Sequence, residues 1–206
     1  MARAALPPDC RLVALDSVDS TNEEAKRRAR EGAPDKTLIW AAAQSAGRGR
    51  GGRTWVSPPG NLYLSLVLRP DCPARRAAEL GFVAAVALGA ALHDIAADLP
   101  VAFKWPNDVL LRGRKLAGIS VETLRDTFAG HLLEATQAWQ SRGFGPVRER
   151  WKALAAGIGS IITVRLPNAS LRGTFVDLDA DGALLLRSET DDGAVRRITA
   201  GDVFFG

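Results

Sequence analysis

Cysteine and histidine are nearly missing from this sequence. Cys10, Cys72, His93 and His131 are the only ones in 206 residues. None has a CxxC or metal-ligand spacing, so neither a disulfide framework nor a zinc site organises the chain. No run of about 18 apolar residues is free of charge, which argues against a membrane span. The start, Met1–Arg11, lacks the apolar core of a secretory signal. Internal repeats and low-complexity tracts are absent. Charge of one sign is also lacking: 27 Lys+Arg against 23 Asp+Glu leave +4. That tolerates an anionic partner such as a nucleotide without demanding nucleic acid. Scarce cysteine fits a reducing compartment, and the expected location is cytoplasmic.

The chain is long enough to bury a core unaided. Leu12–Leu15 reads as a strand, and a helix is predicted from about Asn22 to Glu31. Ser20 with Glu23, and Thr21 with Glu24, have capping-box spacing. Glu23 and Glu24 early and Lys26–Arg30 late suit the helix dipole. Thr37–Ala43 reads as a buried strand, Gln44–Gly60 as a long loop rich in Gly, Arg and Pro, and Asn61–Leu68 as a strand. Pro73 opens a long apolar helix to about Ala97. Val101–Lys104 and Val109–Leu111 are strands around a turn at 105–108. Lys115–Val121 is expected as a return strand after Arg112–Arg114. Phe128–Arg142 and Val147–Ala156 read as amphipathic helices. From Ile161 the pattern changes to the short strands Ile161–Leu166, Leu171–Leu178, Ala183–Arg187 and Val195–Ile198. The expected division is a catalytic part, 1–156, and a small β domain, 157–206.

Four segments could carry chemistry. Gly47-Arg48-Gly49-Arg50-Gly51-Gly52-Arg53-Thr54-Trp55 combines backbone freedom with guanidinium groups, which suits a phosphate. It also suits a flexible basic loop or an RGG-like RNA element, and it is not the GxxxxGK[ST] of a P-loop. Lys104-Trp105-Pro106-Asn107-Asp108 is a tight turn that could aim a lysine at a phosphate and a carboxylate at Mg²⁺, or merely cap an amide. Lys115-Leu116-Ala117-Gly118-Ile119 puts a lysine at the head of an apolar stretch, where burial would require an anionic partner; a surface lysine at a hairpin end is the plainer alternative. Asp19-Ser20-Thr21-Asn22 could read the polar edge of a small ligand or simply cap a helix. Neither histidine has a Ser or Cys partner nearby in sequence, so a catalytic triad has no support.

Jointly, in this order and spacing, the four segments resemble the biotin–protein ligase family, strongly over about 12–123 and more loosely over the C-terminal β unit. The resemblance implies an α+β fold: a mixed, largely antiparallel sheet with packed helices, of the class II-synthetase-like biotin/lipoate ligase type, plus a small SH3-like β-barrel. It implies biotin activation with ATP and Mg²⁺, then transfer to a lysine on the carboxyl carrier domain of a biotin-dependent carboxylase. By resemblance Ser20, Thr21, Asn22, Gln44, Gly47, Arg48 and Gly118 meet biotin. Arg48, Arg50, Arg53, Trp55, Lys104, Asn107 and Asp108 serve the nucleotide and adenylate, and Asp108 the metal. Lys115 meets both the biotin carboxyl and the α-phosphate, with Arg50 as a second catalytic group.

Two departures stand out. A DNA-binding helix-turn-helix does not precede the first strand, so a ligase without repressor function is expected, with no DNA or membrane partner and a homodimer left open. A few tens of residues of the family pattern, including a Gly-Ile-Gly-Ile-Asn-like strand, have no counterpart between Asp126 and Thr127. The other readings are a lipoate or octanoate ligase of the same superfamily, an inactive biotin binder, and a basic RNA-binding module.

Overall fold

The structure is a computed structural model that describes residues 5–48, 54–112, 114–115, 121–190 and 193–205. They form two compact units. The first comprises Met1–Asp71 and Ala117–Leu133, and the second Cys72–Leu116 and Glu134–Gly206.

In the first unit β1 (Arg11–Val18) runs parallel to β2 (Thr37–Arg48), with β3 (Thr54–Ser57) and β4 (Tyr63–Val67) antiparallel to β2. The helix α1 (Thr21–Arg30) is the crossover between β1 and β2. Its Ala25 packs with Ile39 and Val67, and Val13, Leu15 and Ala29 close the cluster. These are alternate positions on the strands and one face of the helix, as the two periodicities require. Glu23 and Glu24 in the first turn pair with Lys26, Arg27 and Arg28 one turn on. The expected capping boxes do not form. Ser20 is the N-cap but makes no side-chain capping bond; its N–H goes to the Asp19 carboxylate, and the Glu23 and Glu24 carboxylates go to Lys26, Arg27 and Arg28.

The predicted long loop at 44–60 is a second correction. β2 continues to Arg48, and β3 returns along it with Gln44 opposite Ser57, Gly47 opposite Trp55 and Arg48 opposite Thr54. The segment is thus largely two paired antiparallel strands; residues 49–53, which join them in sequence, lie outside the described residues. Trp55 is 43% and Val56 83% exposed. An arm that buries so little needs few apolar residues, which is why its composition reads as loop.

In the second unit a 3₁₀ turn (Ala74–Glu79) leads into α2 (Leu80–Ile95). The expected single helix therefore changes pitch at Glu79. Together they make a 22-residue stretch long and apolar enough to cross a membrane by length and composition alone. Phe82, Val83, Ala85, Ala87, Ala91 and Leu92 are buried, as in the core helix of a folded domain. β5 (Val101–Lys104), β6 (Asp108–Leu111) and β7 (Arg114–Lys115) form an antiparallel sheet in that order.

The expected return strand Lys115–Val121 is thus confined to its first residue among those described. Residues 116–120 lie outside them, and Val121 already opens α3 (Val121–Arg142), seven residues before the predicted start. α3 runs unbroken through Asp126 and Thr127. Its first half belongs to the first unit and its second half to the other. α4 (Gly145–Ala153) places Trp151 in an aromatic cluster: Phe82 lies edge-on to both Phe144 and Trp151 at 5.3 Å, and Phe103 stacks on Trp151 at 6.1 Å.

The C-terminal sheet contains β8 (Ile161–Arg165), β9 (Ser170–Leu178), β10 (Leu184–Ser188), β11 (Val195–Ile198) and β12 (Asp202–Phe205), in the order β11-β10-β9-β8-β12. Inward Ile162, Val164, Phe175, Leu178, Leu184, Leu186, Ile198 and Val203 are buried. β12 was not anticipated. It is held to β8 from Asp202↔Arg165 to Phe205↔Ile162, a pairing with no local sequence signal.

Candidate functional site

In the first unit the polar residues gather where the C-terminal ends of β1 and β2 meet the start of α1. Register alone puts Val18 beside Gln44, so Asp19–Thr21 pass over Gln44. The Gln44 Oε1 accepts from the Thr21 backbone N–H (2.8 Å) and the Thr21 hydroxyl (3.2 Å). The Gln44 Nε2 donates to Ser57 Oγ (3.2 Å), and the Ser57 hydroxyl donates to the Trp55 carbonyl (3.2 Å). Ser65 donates to Thr21 Oγ1 (3.0 Å). One amide side chain therefore ties the first turn of α1 to the base of the hairpin. Ser20, Thr21 and Ser57 are buried, while Asn22 and Arg48 are exposed.

Asp19 is occupied elsewhere. Its carboxylate takes both arms of the Arg27 guanidinium (2.7 and 2.9 Å) and the Ser20 N–H (2.7 Å). The Arg27 hydrogen bonds hold this carboxyl well below the usual carboxylate range. The Asp19 carbonyl also accepts from Ala46 N–H (2.8 Å), so the loop before α1 is pinned to β2 by backbone as well.

Gly47 is required here by packing rather than by backbone conformation. A Cβ at this position would lie 2.6 Å from Ser57 Oγ and 2.7 Å from the Trp55 carbonyl oxygen. Ser57 and Ser65 are members of the network that sequence reasoning missed. Ser65 had a signal, being a hydroxyl between Leu64 and Leu66 in an otherwise apolar strand. Ser57 had none before the hairpin was known.

The remaining candidates fall in the second unit. Lys104 and Asp108 face each other across the β5–β6 pairing, and the turn between them carries a cis Trp105–Pro106 peptide. Asn107 abuts the start of α2 near Gly81. The Lys104 ammonium lies 5.5 Å from the centre of the Phe204 ring. Lys115 is in β7, opposite Leu110. Arg50, Arg53 and Gly118 lie outside the described residues, so their expected roles rest on the sequence alone.

Residues 14–133 match the biotin/lipoate A/B protein ligase family, and residues 157–206 match the biotin protein ligase C-terminal domain. The chain is 36% identical to the biotin–[acetyl-CoA-carboxylase] ligase of Paracoccus denitrificans, over 93% of this chain and 99% of that protein. It is 30% identical to the bifunctional ligase/repressor BirA of Escherichia coli, over 93% of this chain and 73% of the relative. The Paracoccus alignment spans 242 positions, more than the 206 residues present, so part of that relative has no counterpart here. The fold is shared with a structure of biotin protein ligase from Aquifex aeolicus in complex with biotin and ATP, at TM-score 0.80 and 22% identity, over 94% of this chain and 97% of that one.

Proposed function

The chain belongs to the biotin/lipoate A/B protein ligase family, and we propose that it is an ATP-dependent biotin–protein ligase. The biotin carboxylate attacks the α-phosphate of ATP, pyrophosphate leaves, and biotinyl-5′-AMP forms. A lysine amine of the acceptor then attacks the acyl carbon and AMP departs. The observation that carries this reading is the Thr21–Gln44–Ser57 network: fixed polar groups that tie α1 to β2 and β3, the two strands that Gly49-Arg50-Gly51-Gly52-Arg53 joins in sequence. A neutral bicyclic ring needs fixed donors and acceptors, and the 36% identity to the Paracoccus ligase names the ring as biotin's.

Joining a carboxylate to a phosphate brings two anions together, so positive charge at the junction lowers the barrier. Lys115, Arg48 and Arg50 are assigned to that task. Ser20, Thr21, Asn22, Gln44, Gly47 and Gly118 are assigned to biotin, and Arg53, Trp55, Lys104, Asn107 and Asp108 to the nucleotide. No enzyme nucleophile is needed, in keeping with the lack of a triad. A mixed anhydride hydrolyses readily, so the arginine-bearing hairpin is assigned to shielding it from water.

Mg²⁺ bound with ATP neutralises phosphate charge. Among the described residues no three His, Cys, Asp or Glu side chains gather into a cage. A single carboxylate at the turn, Asp108, fits a magnesium ion that arrives on the nucleotide and keeps its waters. The acceptor is the carrier domain of a biotin-dependent carboxylase, a reading supported by the acetyl-CoA carboxylase acceptor in the relative's name. Residues 1–156 are taken as the catalytic part and 157–206 as the accessory β domain, which the C-terminal family match supports.

The positions lacking relative to the Paracoccus ligase are assigned to the junction of Asp126 and Thr127. Next to it, Arg125 lies over the Trp40 ring (5.1 Å), and among the described residues the buried Trp40 indole N–H has no hydrogen-bond partner.

The test is biotin-dependent exchange of pyrophosphate into ATP with Mg²⁺. Exchange with biotin and not with lipoate is expected. Exchange with lipoate alone moves the chain to the lipoate branch of the family, and biotin binding without exchange makes it an inactive binder.

A further inference from the structure

We propose that Trp105 is a positioning residue for the nucleotide: through its indole N–H the C-terminal β sheet sets the place of the 105–108 turn. This rests on the assignment of Asn107 and Asp108 to the nucleotide end. Three successive residues leading into the turn are each gripped by later parts of the same unit.

Phe103 is fully buried. Its N–H donates to the Leu154 carbonyl and its carbonyl accepts from the Ala156 N–H, both at 2.7 Å. Lys104 sends its ammonium over the Phe204 ring of β12, whose ring also lies 4.4 Å from the Arg165 guanidinium. Trp105, 2% exposed, donates its indole N–H to the Gly182 carbonyl at 3.0 Å. β6 and β7 hang from β5 alone in their sheet, so what fixes β5 fixes the turn and Asp108 at its far side.

Gly182 is shaped for this contact. Its φ is +84°, and a Cβ there would meet the Phe82 ring at 2.9 Å and the Phe144 ring at 3.3 Å. Only glycine brings the carbonyl of the Asp179–Gly182 turn this close to the indole. Trp105 and Pro106 also line a cavity of about 620 Å³ with Asp181, Gly182, Arg197 and Thr199. The burial of Trp105 is therefore more than core filling: the N–H fixes the ring, and the ring fixes the peptide that precedes Asn107.

The experiment is calorimetric titration of the full chain with Mg·ATP, and separately with biotin, for the parent, Trp105→Phe, Gly182→Ala and the double variant. Trp105→Phe keeps an aromatic ring and loses the donor. About a tenfold weakening for ATP with unchanged biotin affinity is expected in each single variant. The double variant should be no weaker than either, because both changes break one contact. Equal losses for ATP and biotin mean a merely structural role and overturn the proposal, as does unchanged ATP affinity or additive losses. Biotin affinity also reports folding of each variant. If one fails to bind biotin, Phe204→Leu, which loosens β5 at Lys104 instead, should show the same ATP-only weakening on a smaller scale, and its failure to do so overturns the proposal. A parent that binds biotin and not ATP refutes the nucleotide assignment itself, a distinct result.

Discussion

Gly47→Ala tests whether the hairpin and the polar floor form one rigid piece. The added methyl would sit 2.6 Å from Ser57 Oγ and 2.7 Å from the Trp55 carbonyl oxygen, and 3.3 Å from Gln44 Nε2. Relieving it moves β3 away from β2 by roughly half an ångström, since carbon–oxygen contacts below about 3.2 Å are repulsive. The Gln44–Ser57 hydrogen bond is already 3.2 Å long, and such a shift takes it past useful range. One lost hydrogen bond costs about 1 kcal/mol, and the overpacking another 1–2 kcal/mol. At about 2–4 °C per kcal/mol for a chain of this size, Tm should fall by roughly 4–12 °C. Biotin binding should weaken by at least tenfold, because Gln44 is the common partner of Thr21 and Ser57. The assay is a thermal melt beside a biotin titration followed by tryptophan fluorescence. Unchanged Tm together with unchanged biotin affinity would show that the hairpin yields freely, and the rigid-floor reasoning would be wrong.

Two further outcomes are expected. Lys115→Ala should lower biotin-dependent pyrophosphate exchange by about 10²–10³ while leaving the melting temperature near that of the parent, since one charged contact at a developing charge contributes about 2–4 kcal/mol to the barrier; near-normal exchange would remove Lys115 from the chemistry. Asp19→Asn should destabilise the fold at neutral pH. The folded carboxyl lies below its unfolded value of about 3.9, so the Arg27 pairing stabilises fully above that pH and fades as pH falls further. The gap between parent and variant should therefore narrow steadily as pH falls below about 4, and a gap that is constant with pH would mean the ionised carboxylate is not the stabilising group.

Periodicity revealed the fold where a face is buried against a neighbour close in sequence. β1, α1, β2 and β4 lie where alternation and helical spacing put them, because Val13, Leu15, Ala25, Ile39 and Val67 share one core, and β5 and β11 likewise form at their expected places. It was silent where the cause is distant. β12 exists because Asp202–Phe205 completes the edge beside β8, and nothing within 202–205 says so. The start of α3 was missed for the opposite reason. Val121 ends an apolar stretch with strand-like composition, yet it opens α3. The hairpin at 44–57 failed on composition, since exposed strands need no apolar face.

The candidate site was legible as residue types but not as a division of labour. Asp19, Thr21 and Gln44 all looked able to read a ligand. The structure occupies much of their hydrogen-bonding capacity internally: Asp19 by Arg27 and Ser20, Gln44 Oε1 by two donors of Thr21, and Gln44 Nε2 by Ser57. A carboxamide oxygen has two lone pairs and its nitrogen two hydrogens. Gln44 thus keeps at most one N–H for a ligand, and Asp19 is better understood as the brace that fixes the approach to α1. Beside that Gln44 N–H, the Ser20 hydroxyl makes no capping bond, and Asn22 and Arg48 are exposed. The Ser20 N–H is taken by the Asp19 carboxylate and the Glu24 carboxylate by Arg27 and Arg28, so the reciprocal capping that the spacing offers gives way to a brace before α1 and ion pairs on its surface.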